Sequence, residues 1–564
     1  MNRHICMLVA MCVTASVLVA QPVVPTTLVG KTYYEKQSLG TIGHLIAQDP
    51  VGGLDFCWTS SNSTGLIRHT YYNYLQPDGI LIGDSTGVAL DAEYSGAYAN
   101  MSLFPDGRCV AVFHGGAMGS THSYIYYDVL LGVGAFQPFE IPNDPTAGVL
   151  ISPHVGAQAD AGHVAAVGMG MSGFSGLYYT RLPFEINFSF NNWTLVDTPK
   201  VIAQDIAISP VSNRVALVWP HQIGEAPGYP DIQVDNDIYA VISEDGSTWN
   251  FASPLNITDF LGGEPPHSDS VRGYNDLSAV FDYDDYLHVA YVVVGFWFEG
   301  GEPVTTWGSM IYHWDEYSDT HTIITGNIYA EGDPGDPNAS IYCKPNLGVD
   351  PASGNIYCTW VEFSDPADTA DNGYLNGDVY ASGSADGGTS WGTPVNLTNT
   401  STPGAGPGDC LSENYPSLAS WVNDTLHVFY QEDLYGGRAE FEDPQSVTLN
   451  PLRYLRIPAS MVPVGGAGVS EALPVQPGDF RLEHNYPNPF NPSTTIEFTL
   501  PEPGSVSLIV YNITGRVAAR LLEEALTSGH HSVRWNAENM PSGIYFYTLR
   551  ADGYSLTRKM VLLK

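Results

Sequence analysis

Along the middle of the chain one pattern of apolar and polar positions keeps returning: a few apolar residues, a turn rich in Asp, Asn, Gly or Pro, then an alternating run that ends in aromatics. The copies are HLIAQDPVGGLDFCW (44–58), NMSLFPDGRCVAVFH (100–114), HVGAQADAGHVAAVG (154–168), DIAISPVSNRVALVW (205–219), DLSAVFDYDDYLHVAYV (276–292), NLGVDPASGNIYCTWVE (346–362) and SLASWVNDTLHVFYQ (417–431). Period-two alternation on both sides of a turn predicts a β-hairpin in each. Recurrence at a spacing of about 50 to 70 residues marks a repeat architecture.

After most hairpins a second strand pair is predicted, clearest in NDIYAVISEDGSTWNFASPLNIT (236–258) and GDVYASGSADGGTSWGTPVNLT (377–398). Four strands per repeat is the arithmetic of a β-propeller, whose radial closure leaves only short protected edges. Seven blades are favoured, with six as the alternative if the weakest repeat, 44–92, is part cap or closing strand. Residues 459–479, ASMVPVGGAGVSEALPVQPGD, have linker composition. Beyond them STTIEFTL, SVSLIVYN, HHSVRWN, GIYFYTLRA and SLTRKMVLL alternate between turns, predicting a small antiparallel sandwich over 480–564 of immunoglobulin-like size. No long stripe of period 3.6 competes with this all-β reading outside the N-terminus.

The N-terminus changes the picture. Arg3 and His4 precede an apolar run from Ile5 to Ala20, after which the chain turns polar at Gln21. That is a secretory signal peptide over 1–20, too short and wrongly flanked for a membrane span. The remainder divides into 21–458, the propeller, the linker 459–479, and the sandwich 480–564. No further segment has eighteen consecutive apolar residues, so no transmembrane segment is expected.

Charge is unevenly placed. Residues 21–479 hold 12 Lys and Arg against 53 Asp and Glu, whereas 480–564 hold 8 against 7. An acidic surface of that kind repels phosphate backbones and anionic lipid, which excludes nucleic acid as a partner. It suits solubility outside the cell or, more sharply, cation binding. Of the seven cysteines, five follow the signal peptide, and an odd number cannot all pair within one chain. Cys343 with Cys410 is the expected bridge, because both precede the inner strand of neighbouring repeats. No Cys/His cluster has zinc-ligand spacing. The acidic loop from Asp365 to Asp378 lacks EF-hand spacing, and a structural Ca²⁺ held there is the one cofactor considered.

Two local motifs carry a resemblance. Ser384, Asp386, Gly388 and Trp391 match the Asp-box pattern S-x-D-x-G-x-x-W, and Ser243, Asp245, Gly246 and Trp249 repeat it shortened by one residue. The Asp side chain can bond turn amides, Gly supplies a positive φ, and Trp fills the space beneath. In this the middle region resembles sialidase-like, BNR-repeat propellers. The resemblance implies a fold and not an activity, since Asp boxes in that family sit on the rim and bind no substrate.

The tail carries four ordered motifs: Asn485-Tyr486-Pro487-Asn488-Pro489-Phe490-Asn491-Pro492, Tyr511-Asn512-Ile513-Thr514-Gly515-Arg516, Pro541-Ser542-Gly543-Ile544-Tyr545-Phe546-Tyr547, and the closing Arg558 to Lys564. Together they resemble the C-terminal sorting domains of type IX secretion and the related FlgD-like Ig modules. The resemblance implies inner-membrane export by the signal peptide, outer-membrane passage through the type IX machinery directed by the tail, and release or attachment at the cell surface.

Candidate chemistry is sought where propellers present it, around the central channel. Positions entering the inner strands include His44, Asn100, His154, Asp205, Asp276, Lys344 and Glu413, and those leaving the second strands include His114, Trp219, His221, Glu362 and Glu432. This polar, aromatic, mainly acidic ring suits a sugar, a peptide or a divalent cation. A sialidase needs clustered arginines beside a Tyr and a carboxylate. Of Arg68, Arg108, Arg181, Arg214, Arg272, Arg438, Arg453 and Arg456, only Arg272 falls on an entering loop. Leu455-Arg456-Ile457-Pro458 resembles the family's F/Y-R-I-P signature but stands at the end of the propeller, as a chance match does. No G-x-S-x-G, H-E-x-x-H or P-loop pattern is present. The sequence therefore points to a secreted or surface-displayed binding protein for extracellular glycan or protein, with a glycan-directed hydrolase as the competing class. A hydrolase requires two carboxylates, or a Tyr/Glu pair with arginines, converging in one deep pocket.

Overall fold

A computed structural model describes residues 25–562, apart from 39, 64–66, 92–94, 117–120, 171–172, 186, 199–202, 224–234, 260–270, 300–301, 337–338, 438–446, 467–480, 483–484, 486–489, 501–502, 513–516, 539, 542 and 552–553. The expected signal peptide, Arg438, residues 486–489 of the Asn485–Pro492 motif, residues 513–516 of the Tyr511–Arg516 turn, Ser542, Leu563 and Lys564 lie outside the described residues. The chain falls into two compact units, Met1–Ala467 and Gly468–Lys564.

Every one of the repeated hairpins is an antiparallel strand pair, and each opens a group of four strands. The first group runs Ile46–Gln48, Leu54–Ser61, Arg68–Leu75 and Val88–Ala89, and the second Ala97–Leu103, Cys109–Gly115, His122–Asp128 and Phe136–Ile141. The third is Val149–Gln158, Ala161–Gly170, Gly173–Pro183 and Thr194–Asp197. The fourth, Asp205–Ile208, Val215–Gln222, Asn236–Ser243 and Leu255–Asn256, is joined by one pair, Asn236 with Gly273, to the fifth, Val271–Phe281, Leu287–Glu299, Glu302–Asp315 and Thr320–Asn327. The sixth is Tyr342–Val349, Ile356–Glu362, Asp378–Ser384 and Val395–Asn396. The last is Ser412–Leu418, Thr425–Asp433 and Asn450–Pro458, completed from the far end of the chain by Thr26–Thr32, which pairs with Asn450–Pro458 in an antiparallel register from Thr26 with Leu455 to Thr32 with Asn450. The inner strand of each group contacts that of the next, and the last contacts the first. The result is an all-β ring of sheets, the architecture of a β-propeller.

Alternation explains why the groups stack. In Cys109–Gly115 all seven residues are buried. Successive side chains point to opposite faces, so Cys109 and Ala111 join the core shared with the first group, while Val110 and Val112 join the core shared with the third. A strand covered on both faces reads as a continuous apolar run, and CVAVF does.

The two Ser-x-Asp turns at Ser243 and Ser384 pin neighbouring groups together. Asp245 accepts from the backbone N–H of Ser247 and Thr248, and Asp386 from that of Ser390. Gly246 and Gly388 take φ of 67° and 85°. Trp249 reaches back to the third group, donating to Tyr179 Oη at 3.0 Å, and Trp391 to the fifth, donating to Thr322 Oγ1 at 3.2 Å and packing edge-on to His313.

Three expectations need correction. Cys343 and Cys410 are not bridged: all five described cysteines are free and buried. Cys343 sits among Ile341, Val361 and Phe363, and the Cys410 thiol donates to Asn376 Oδ1. The stretch 459–479 is not linker from its first residue, because Val464–Gly465 adds a parallel strand to Asp378–Ser384. Finally, Asn100, His154, Arg272, Asp276, Lys344 and Glu413 lie inside inner strands and not on loops before them.

The second unit is two antiparallel sheets. Arg481–Leu482, Ser493–Leu500 and Gly529–Asn536 form one, and Val517–Leu526, Gly504–Asn512, Gly543–Ala551 and Tyr554–Leu562 the other, in those orders. Ile496, Phe498, Leu508, Trp535, Tyr547 and Met560 share its core. From the first of the ordered tail motifs, buried Asn485 donates its N–H to Tyr547 Oη at 2.9 Å and its Nδ2 to Thr494 Oγ1 at 2.9 Å.

Candidate functional site

Around the axis of the ring the inner strands are fastened by a circle of hydrogen bonds. Asn100 Oδ1 accepts from Val155 N–H, Asp205 Oδ2 from Ala279, Ser278 Oγ from Leu347, Asn346 Oδ1 from Leu418, and Ser417 Oγ from Leu45, all between 2.8 and 3.0 Å. The His44 carbonyl accepts from Met101 N–H at 2.9 Å, and His154 Nδ1 stands 3.6 Å from Asp205 Oδ1. Bulges aim these latches. The pairing register shifts at Ala97/Asn100, Ile151/His154, Gly273/Leu277, Cys343/Asn346 and Asn414/Ser417. Within four of the shifts Tyr98, Ser152, Lys344 and Tyr415 adopt φ between 47° and 58°. Left-handed backbone costs a non-glycine residue about 1–2 kcal/mol, a strain offset by latches that join adjacent sheets.

At the end where the chain enters the inner strands, the segment between Thr32 and Ile46 crosses the axis. The Gly43 carbonyl accepts from Asn346 Nδ2 at 3.1 Å and Ser417 Oγ at 3.3 Å. Gln37 joins the first group to the last, exchanging hydrogen bonds with the Thr59 backbone and donating to Gln431 Oε1. Beneath this strap Lys344 is buried with its Nζ 4.7 Å from the centre of the Tyr415 ring. Burial opposes the Lys344 cation, yet Asp276, Cys343 and Asp336 together hold its pKa above the ordinary value. Burial pushes the Asp276 carboxyl up. Lys36 pairs with Asp336 at 3.5 Å, and Arg68 donates to Tyr34 Oη at 3.0 Å.

The remaining residues chosen from sequence are scattered and engaged. His114 Nδ1 accepts from Ser152 N–H, Trp219 donates to Asp197 Oδ2 at 2.7 Å, and His221 shares that carboxylate while stacking on Tyr239. Arg272 donates to Asp235 at 2.8 Å. Glu362 accepts from Ser364, Glu413 from Thr400 Oγ1, and Glu432 takes a two-pronged pair from Arg453 at 2.6 and 2.7 Å. Burial lifts Glu413 well above the carboxylate range, with Asp378 and Glu432 adding to it. Among the described residues no three of His, Cys, Asp and Glu gather to hold a metal. In the acidic loop Asp368 accepts from Asn376 Nδ2 and Thr402 N–H, and Asp378 from Thr398, Asn396 and Thr400.

A cavity opens at the opposite end, among the hairpin turns. It holds about 370 Å³ along the axis and is walled by Ile46, Met101, Leu103, Ile206, Ile208 and Val280. At its mouth stand Tyr283 and Trp421, ring centres 5.4 Å apart, with Gln48, Ser209, Ser420 and Asn423. Of the residues chosen from sequence, His44 is the one that lines this cavity. Its Nδ1 is buried without a hydrogen-bond partner among the described residues, and burial lowers its pKa. Sequence reasoning passed over Tyr283 and Trp421, although large aromatics at hairpin turns, where small polar residues are usual, were a signal.

Buried imidazoles give the first unit an acid limit. Burial lowers His114 and His163 to about 3 and His427 to about 4. The unfolded chain binds these protons near 6.5 while the fold refuses them, so their stabilising effect is complete above 6.5 and is lost as pH falls toward the folded values. In His163→Gln, the difference in unfolding free energy between pH 7.5 and 4.5 is expected to shrink by about 2–3 kcal/mol relative to the unaltered protein. Denaturant titrations at the two pH values measure it, and an unchanged difference contradicts the assignment.

Comparison with known proteins adds the tail's family. Residues 484–563 match the model of the secretion system C-terminal sorting domain. No curated protein matches the chain. Among solved structures, the polysaccharide lyase Uly1 is similar at 10% identity over 79% of this chain and 94% of its own, with a TM-score of 0.42. The GH93 α-L-arabinofuranosidase of Fusarium graminearum, solved with arabinobiose, is 9% identical over 65% of this chain and 94% of its own, TM-score 0.38. The GH43 endo-arabinanase from Bacillus licheniformis is 14% identical over 54% and 92%, TM-score 0.27.

Proposed function

We propose that this is an exported binding protein: a seven-bladed, sialidase-like propeller that holds an extracellular ligand in its axial cavity, followed by an Ig-like sorting domain that directs passage through the type IX machinery. The four-strand groups and their ring of contacts support the blade count, and the strand Thr26–Thr32 supplies the closing edge. The cavity carries the binding reading: it is concave, largely apolar, and furnished with a few placed polar groups, the usual make-up of a ligand site. Glycan and protein are both admitted by its aromatic mouth. The carboxylates a hydrolase would need are spoken for, Glu432 by Arg453 and Glu413 by Thr400.

Asn423 is exposed at the rim in a left-handed turn, with φ 42°, so Asn423→Trp should block the mouth at a stability cost confined to that turn. Full-length protein and this variant are compared on glycan and peptide arrays. Ligands of the unaltered protein should be lost by the variant, and a common set of ligands on both would remove the cavity from the reading. Export is tested separately in a bacterium with the type IX machinery, where a chain ending at residue 483 should accumulate behind the outer membrane. Release of that truncated chain to the medium would contradict the role of the tail.

A further inference from the structure

Resting on the cavity as ligand seat, we infer that its occupant is a polypeptide segment presenting one apolar side chain flanked by lysine or arginine. The walls decide against sugar. Below the rim, Ile46, Met101, Ile206, Ala207, Ala279 and Val280 offer no side-chain hydrogen bond, and among the described residues His44 Nδ1 is the one unpartnered polar atom set with them. A saccharide seated there can give one hydroxyl to His44 and buries its others without partners, at about 1–3 kcal/mol each. A Leu or Phe side chain of a partner gains instead from the same walls.

Charge then selects the flanks. The turns that carry Tyr283 and Trp421 also carry exposed Asp284 and Asp424, and neither carboxylate enters an ion pair among the described residues. Neighbouring turns carry Asp106 and Asp160, each already beside an arginine. With 12 basic against 53 acidic residues over 21–479, the surface repels an anionic lipid and attracts a basic chain.

The surface beyond the rim favours an extended partner over a small molecule. Pro50 at the mouth and Leu131 of the second group converge on Gly107, where an added Cβ would meet both at 2.7 Å. Past them Val51, Leu130 and Val133 are more than half exposed, at 62%, 62% and 55%. An apolar strip continuous with a cavity marks a surface that a chain can follow.

The test uses full-length protein and three probes: the peptide Gly-Lys-Lys-Phe-Lys-Lys-Gly, the same peptide with Ser for Phe, and cello- and xylo-oligosaccharides. Calorimetry and tryptophan fluorescence follow binding at 50 and 500 mM salt. The Phe peptide is expected to bind at least about tenfold more tightly than the Ser peptide, to weaken about tenfold in Trp421→Ala, and to weaken with salt. Asp284→Asn with Asp424→Asn should remove most of the salt dependence. Thermal unfolding of each variant establishes that it is folded. Oligosaccharide binding that depends on Trp421, without peptide binding, overturns the inferred occupant and leaves the cavity as ligand seat. Equal binding of the Phe and Ser peptides also overturns it. Probe binding indifferent to both Trp421→Ala and Asn423→Trp, or no binding of any probe, overturns the inference, and the first of these removes the seat as well.

Discussion

Replacing Asp276 with Ala is expected to lower the stability of the first unit by about 3–5 kcal/mol, because it strips a partner from a cation that cannot reach water. Lys344 is only 3% exposed, and Asp276 is among the groups that hold its charge against burial. Removing a compensating charge from a buried cation costs more than the attraction contributes, since the cation keeps its desolvation penalty. Asp276 Oδ2 also accepts the Lys344 backbone N–H at 3.2 Å, so the bulge that aims Asn346 loses an anchor at the same time. Chemical denaturation of the variant measures the loss, and the double change Asp276→Ala with Lys344→Met should recover much of it. A loss under about 1 kcal/mol in the single variant would show the Lys344 cation to be solvated.

A second large effect is expected at Gly43. Its φ is +64°, and a Cβ there would lie 2.0 Å from Asn100 Nδ2 and 2.8 Å from His154 Cε1. Gly43→Val therefore combines a left-handed β-branched residue with displacement of Asn100, whose Oδ1 latches Val155. The Gly43 carbonyl would be pulled from Asn346 and Ser417 by the same shift. About 3–5 kcal/mol is expected in sum, read as a lowered denaturation midpoint of the first unit. Gly43→Val with an unchanged midpoint would mean that the strap does not cross the axis as described.

The parts of this fold that were legible in the sequence are those written by local pairing. A hairpin such as Ala97–Leu103 with Cys109–Gly115 carries its own turn and its own alternation, so period and breaker residues suffice to find it. The closing strand was not legible, because Thr26 pairs with Leu455 across almost the whole propeller region and nothing near Thr26 says so. Val517–Leu526 was missed for another reason. VAARLLEEAL is built from good helix formers, and it becomes an edge strand because Gly504–Asn512 offers a ladder and the core accepts Leu522 and Leu526. Tertiary context outweighed propensity there.

The candidate site was half legible. Counting polar positions at the inner strands found His44, His154, Asp205, Asp276, Lys344 and Glu413 near the axis, but sequence could not tell a ligand contact from a latch. That distinction depends on which backbone N–H the neighbouring sheet presents. Tyr34, Tyr98 and Tyr415 went unnoticed, and Arg68 was set aside, because the contacts of Tyr34 with Arg68 and Tyr98 depend on the strap and the bulges, which leave no periodic trace. The cavity mouth at Tyr283 and Trp421 lay inside repeats that were recognised and was overlooked because propellers were expected to present ligands at the other end.

The ring, its latches and its cavity all require the N-terminal strand to complete the last sheet. Native-state hydrogen exchange on the full-length protein tests this directly, by following the ladder amides of Thr26–Thr32 beside those of Asn450–Pro458. A closed ring predicts that both sets exchange together, at the rate of the first unit's cooperative opening. Amides of Thr26–Thr32 that exchange in seconds while their partners stay protected would contradict closure, and the axial site with it.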